Sequence, residues 1–239
     1  ATQPLRPTWH DRLDTLPAGP ILVVANEFFD ALPIRQFEFR AGRWHERVVG
    51  LDDGGGLAFG LGPATLPDGV VPAGAGEPED GTLLEVSPVG VDIMAALARR
   101  VVADRGLVVA VDYGYAGPAF GDTFQAIRAH TYVDPLGRPG EADLTAHVDF
   151  TALARSAGRA GAAVHGPVEQ GDFLLALGLA ERAGRLGADK DEATRADLVS
   201  QVNRLVTAEE MGSLFKVLAV TPPGIHPPGF PLAQGPATT

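Results

Sequence analysis

Uncharged runs of strand length alternate along this chain with stretches of helical period, and the polar residues that end the runs are unevenly placed. Ile21-Leu-Val-Val-Ala25 has no charge and no helical spacing, so it reads as a strand buried on both faces, as in a parallel sheet. It stops abruptly on Asn26-Glu27, and the segment from Phe28 reads as the start of a helix. Ile34 to Arg40 and Arg43 to Val49, joined at Ala41-Gly42, read as a hairpin, with Leu57 to Leu61 as a third strand. Pro63 to Gly81 is rich in proline, glycine and acids and reads as a surface loop.

Leu83-Leu-Glu-Val-Ser87 runs into Pro88, and a serine cap followed by proline at the first helical position predicts a helix through about Ala103. Val91, Met94, Ala98 and Val101 fall on one face of it. Leu107 to Val111 is a second buried strand ending on Asp112-Tyr113-Gly114, and strand, helix, strand in that order demands a parallel, right-handed crossover. Tyr115 to His147 is long, polar and aperiodic, which suits the lid or wall of a site. Asp149 caps a helix through about Ala160, followed by a strand from Ala162 to Val168. Helices over Asp172 to Leu186 with a break near Gly178, over Glu192 to Leu205 and over Ala208 to Ser213 precede a closing strand, Phe215 to Val220. Residues 1–239 thus read as one α/β domain with a hairpin insertion at 34–62 and an irregular tail at 221–239.

Charge narrows the partners. Lys plus Arg number 19 and Asp plus Glu 30, so 19 − 30 = −11, which disfavours a nucleic-acid backbone and favours a cationic partner. No apolar stretch approaches the ~20 residues of a membrane helix. The absence of cysteine removes disulfides, thiolate metal sites and a cysteine nucleophile, and fits a reducing compartment such as the bacterial cytoplasm.

The two strand ends, Asn26-Glu27 and Asp112-Tyr113, lie on one edge of the sheet if their strands are parallel neighbours, and with Asp30 they gather carboxylates around one crevice. Such a cluster suits a guanidinium or ammonium group, although the same residues also serve as helix caps and turn formers. The histidines are scattered without zinc spacing, so no metal site is expected; His147, with Asp143, Thr145 and Asp149 in its loop, is the one candidate base, although the pattern suits better a solvent-facing histidine hydrogen-bonded to those neighbours. There is no Gly-x-Ser-x-Gly elbow, no Walker loop and no Gly-x-Gly-x-x-Gly after a strand.

Six ordered motifs carry a resemblance: Asn26-Glu-Phe-Phe-Asp-Ala-Leu-Pro33, Glu85-Val-Ser-Pro88, Asp112-Tyr-Gly114, Gly121-Asp-Thr123, Ala142 to Phe150 and Met211-Gly-Ser-Leu-Phe215. Together they resemble the MidA family of class I S-adenosylmethionine-dependent methyltransferases, whose mitochondrial members methylate protein arginine and act in respiratory complex I assembly. The resemblance implies a Rossmann-like methyltransferase fold in which Ile21 to Ala25 is the fourth strand of seven and Leu107 to Val111 the fifth, with the last two strands forming an antiparallel edge. The family's glycine-rich donor loop precedes these strands, so the chain reads as the carboxyl-terminal part of that domain, completed by a preceding segment or by dimerisation. The implied cofactor is S-adenosyl-L-methionine, held by Asn26, Glu27 and Phe28; the implied partner is a protein with an accessible arginine. Glu27, Asp30, Asp112 and Tyr113 take the catalytic roles and Asp122, Asp143 and His147 the substrate side. A non-catalytic scaffold that binds a basic client, and a methyltransferase acting on a small molecule, stand as alternatives.

Overall fold

A computed structural model describes residues 6–232 apart from 68, 72, 73, 75 and 118. The first strand, β1 (Ile21–Asn26), leads into an insertion built from β2 (Arg35–Arg40), β3 (Arg43–Leu51), β4 (Leu57–Leu61) and β5 (Leu83–Val86), which forms an antiparallel sheet of order β4-β3-β2-β5. Helix α1 (Pro88–Asp104) returns the chain to β6 (Gly106–Tyr115). A small antiparallel sheet follows, β7 (Gln125–Arg128), β8 (Thr131–Val133) and β9 (Asp143–Thr145), then the short β10 (Val148–Asp149), α2 (Phe150–Arg159) and β11 (Ala163–Glu169). Helices α3 (Gln170–Ala176), α4 (Leu179–Gly187), α5 (Glu192–Val206) and α6 (Met211–Leu214) precede the last strand, β12 (Phe215–Thr221).

The main sheet has the order β1-β6-β12-β11, with β10 beside the end of β6. Strands β1 and β6 are parallel, Ile21 beside Gly106 and Asn26 beside Val111, whereas β12 runs antiparallel to both β6 and β11. Met94, Leu97 and Val101 of α1 and Phe150, Leu153 and Ala157 of α2 pack on one face, over Val108, Ala110, Leu218 and Val220. Each large side chain so buried contributes roughly 1.5–3 kcal/mol, so these two helices hold the sheet's registration. The opposite face carries a smaller cluster, Val217, Ala219 and Phe230 with Phe173.

Several expectations hold and several are corrected. The hairpin with its third strand and the Ser87-Pro88 helix start are present, Ser87 Oγ accepting the Gly90 amide at 3.2 Å. Strand β1, however, is buried on one face only: Leu22 and Val24 are 83% and 76% exposed, because α1 and α2 cover only the other side. The segment after Glu27 forms a turn instead of a helix, its amides being drawn to a carboxylate on β6. Residues 83–86 join the insertion by pairing antiparallel with β2, so the parallel crossover into β6 starts from β1. Strand β6 also continues past Asp112 to Tyr115, and the polar segment before His147 contains the three-stranded sheet.

Candidate active site

Asp112 lies within β6, fully buried, at the level where β1 ends. The Glu27 amide donates to Val111 O at 3.0 Å as the last bond of the parallel ladder, and a left-handed φ of +47° at Glu27 then turns the chain back over the sheet. Three successive amides consequently converge on one oxygen, Phe28, Phe29 and Asp30 donating to Asp112 Oδ2 at 3.1, 3.0 and 3.2 Å. Consecutive N–H groups aimed at one point make an anion nest. Burial and the charge of Asp30 nevertheless push the Asp112 carboxyl up to about 7, against the pull of those amides.

Asp30 connects this nest to Tyr113. The tyrosine hydroxyl donates to Asp30 Oδ2 at 2.5 Å, while Asp30 Oδ1, in a residue only 5% exposed, has no partner among the described residues. Burial and the bond to Asp30 raise the Tyr113 phenol, which keeps it a donor at neutral pH. His147 packs edge-on against Tyr113 with ring centroids 5.5 Å apart, and burial holds its imidazole below the usual value, with Glu85 acting in the opposite sense. Its loop is placed by β10, which lies so close to β6 that a Cβ at Gly114 would collide with the Val148 carbonyl.

A second buried carboxylate fixes the wall of the site. Glu85 accepts from Gln36 Nε2 at 2.7 Å, from the amides of Thr123 and Phe124 at 3.1 Å, and from the Thr123 hydroxyl. Thr123 Oγ1 in turn accepts the His147 amide at 2.9 Å, so one side chain on β5 ties the insertion, the loop at 121–124 and the histidine together. A cavity of about 380 Å³ leads from Asp30 between the insertion and β9, walled by Arg35, Gln36, Glu46, Arg47, Phe59 and Phe124, with Glu46 paired to Arg35 at 2.7 Å.

The residues singled out from the sequence separate into three groups. Asp30, Asp112, Tyr113 and His147 come together. Asn26, Glu27 and Phe28 lie beside them but face solvent at the open end of β1, Asn26 Nδ2 donating to Glu27 Oε1 at 3.3 Å. Asp122 is held by Gln36 and Arg47 at 2.9 Å each, and Asp143 is exposed on β9, so neither joins the buried cluster. Glu85 and Thr123 have no role assigned from the sequence, although both stand in the ordered motifs and Glu85 is a carboxylate inside an apolar strand at residues 83–86.

A parallel pair flanked by an antiparallel strand, with acidic groups at the carboxyl end of the parallel strands, defines one end of a Rossmann-like methyltransferase sheet. Residues 2–168 match a family of S-adenosyl-L-methionine-dependent methyltransferases, and the chain belongs to that family. It is similar to the mitochondrial protein arginine methyltransferase NDUFAF7 of Xenopus tropicalis, 36% identical over 217 residues that cover 90% of this chain and 50% of that protein. The human protein of the same name is 32% identical over 218 residues, covering 90% of this chain and 48% of that one. A crystal structure of a Burkholderia thailandensis protein bound to S-adenosyl-homocysteine superposes with a TM-score of 0.78 at 29% identity, covering 91% of this chain and 57% of that one. The chain therefore spans about half the length of the curated relatives it matches.

Proposed function

We propose that this chain forms the acceptor side of a methyl transfer from S-adenosyl-L-methionine to a guanidino nitrogen of a protein arginine. The observation that carries this reading is Asp30 Oδ1, a buried carboxylate oxygen with no partner among the described residues, beside a cavity that opens between two sheets. Such an oxygen is costly to leave unpaired, and an incoming N–H group satisfies it. An arginine presents a rigid planar fork of donors that suits it.

At the open end of β1, Asn26, Glu27 and Phe28 offer an amide, a carboxylate and an aromatic face, groups that fit the hydroxyls, ammonium and adenine of the methyl donor. When bound, that donor supplies an electrophilic sulfonium methyl. The residues of this chain orient the acceptor against it. Asp30, held by Tyr113 and by its own amide on Asp112, takes one side of the guanidinium, and Glu27 takes the other. The nitrogen–methyl bond forms as the sulfur–methyl bond breaks, its electron pair leaving with sulfur. Arginine remains protonated at neutral pH, so the nitrogen that attacks must also release a proton, which Glu27 accepts. The wall held by Glu85 keeps water from the acceptor, and most of the acceleration is proximity and electrostatic orientation.

The protein acceptor follows from the names of the relatives, and respiratory-complex assembly is the setting we propose for it. The test is methyl transfer to protein arginine by the complete protein carrying Glu27→Gln or Asp30→Asn. Each variant is expected to fold normally by circular dichroism and to lose about 100-fold in kcat, the ordinary worth of a positioned acid or base. Full activity in Glu27→Gln removes that residue's role.

A second reading, a scaffold that binds a basic client without transferring a methyl group, draws on the net charge of −11. Saturating S-adenosyl-L-methionine raises the melting temperature of a protein that binds it, so an unchanged melting temperature favours the scaffold.

A further inference from the structure

A cavity of about 490 Å³ adjoins the one that reaches Asp30, the two sharing Ile34, Arg35 and Ala146 in their walls. It lies along the groove between α1 and α2. Val91 and Ala95 of α1 and Ala152 and Ser156 of α2, spaced four residues apart on each helix, form its floor, and Leu66, Pro67 and Val70 form a roof. Ser156 Oγ donates to the Val91 carbonyl at 2.8 Å, which holds the two helices close and leaves that hydroxyl satisfied. At the end near the main site the wall is Phe29, Phe37 and Leu84. The acids at that end are already engaged, Glu85 by four donors and Asp149 as the cap of α2, accepting the Ala152 amide at 2.9 Å.

Guanidinium groups also line the groove. Arg99, two turns or about 12 Å along α1 from Val91, joins Arg155 and Arg159, which lie one turn apart on α2. All three are exposed and none makes an ion pair or side-chain hydrogen bond among the described residues, although Arg155 is near enough to Asp149 to pull that carboxyl down against the upward effect of burial. A cleft of this size with an apolar length and a few charged groups at one place is the usual form of a small-molecule site. Its arginines disfavour an arginine acceptor, which like charges would repel, whereas at the Asp30 cavity Asp30 and Glu46 stand beside Arg35 and Arg47.

We propose that the α1–α2 groove binds a free amphipathic anion, a carboxylic acid with a medium-length acyl chain, the chain lying on Val91, Ala95, Ala152 and Ser156 and the carboxylate meeting Arg99, Arg155 and Arg159. Apolar contact supplies affinity along the floor, and guanidinium groups recognise a carboxylate through paired N–H donors. The inference stands on this cavity alone and does not depend on methyl transfer.

The test is calorimetric titration of the chain with dodecanoate, dodecan-1-ol and dodecylammonium, each below its micelle concentration. Saturable one-to-one binding of dodecanoate is expected, at least about tenfold tighter than dodecylammonium, a factor that corresponds to 1.4 kcal/mol. The double variant Arg155→Gln/Arg159→Gln, altered only at exposed positions, is expected to lose that preference and to keep the affinity for dodecan-1-ol. Ala152→Trp, which fills the floor, is expected to weaken all three. No saturable binding, equal affinity for the three probes, or an unaffected double variant overturns the proposal. Arginine-dependent sedimentation with phosphatidylglycerol vesicles in the absence of dodecanoate binding also overturns it, assigning the arginines to a lipid surface.

Discussion

Glu27 is held at φ +47°, a left-handed conformation that costs an L residue about 1–2 kcal/mol and glycine almost nothing. That turn is what aims three amides at Asp112, so the strain sits where the site is built. Glu27→Gly is expected to stabilise the fold by up to about 1 kcal/mol in urea unfolding, after glycine's greater unfolded-state entropy is counted, while methyl transfer falls. A loss of stability would show that the turn is not strained. Asp112 gives a pH signature. Its carboxyl rises to about 7 on folding from an ordinary value near 4, so the folded state holds the proton more tightly throughout that interval. Its contribution to stability is therefore full below about pH 4 and is lost as pH rises to about 7. Chemical denaturation from pH 4 to 7 is expected to show that decline in the parent and a flatter profile in Asp112→Asn. At this scale the acidic edge was legible because parallel strands end together. Glu85 was not, because its partners Gln36 and Thr123 stand 49 and 38 residues away in sequence.

Among the elements, β5 has the least expected part: four residues that seemed to start a crossover instead close the insertion sheet and carry Glu85 inward. Glu85→Ala leaves the donors of Gln36, Thr123 and Phe124 without their acceptor, at a cost of about 2–3 kcal/mol. Faster amide exchange is expected at 121–125 and at His147, with α1 and α2 unchanged; uniform exchange through the chain would mean the tie is global. The start of α1 was legible from Ser87-Pro88 because a cap is a local device. The turn after Glu27 was not, since the same residues suit a helix until Asp112, more than 80 positions on, takes their amides. Strands β7 to β9 escaped notice because three or four residues carry too little alternation to register.

For the molecule as a whole, the uncovered side of β1 sets the behaviour. Among the described residues only β6 pairs with β1, and Leu22 and Val24 stand exposed beside its unpaired backbone edge. Exposed apolar side chains next to an open edge promote strand addition. Sedimentation velocity is expected to show concentration-dependent association of this chain, reduced in Leu22→Lys/Val24→Lys; a monodisperse monomer at high concentration would contradict this. We propose that in the active protein a further parallel strand occupies that edge and brings the donor-binding wall with it. The sequence by itself determined the strand and helix periods, the punctuation that starts α1 and α2, and the ordered motifs that mark the family, because each depends on neighbouring residues. Only the tertiary structure decided which strand lies beside which, that one face of β1 is bare, that Asp30 keeps an unpartnered oxygen, and that two adjoining cavities flank the site. Those features depend on side chains far apart in sequence meeting across a sheet, and no local pattern encodes the meeting.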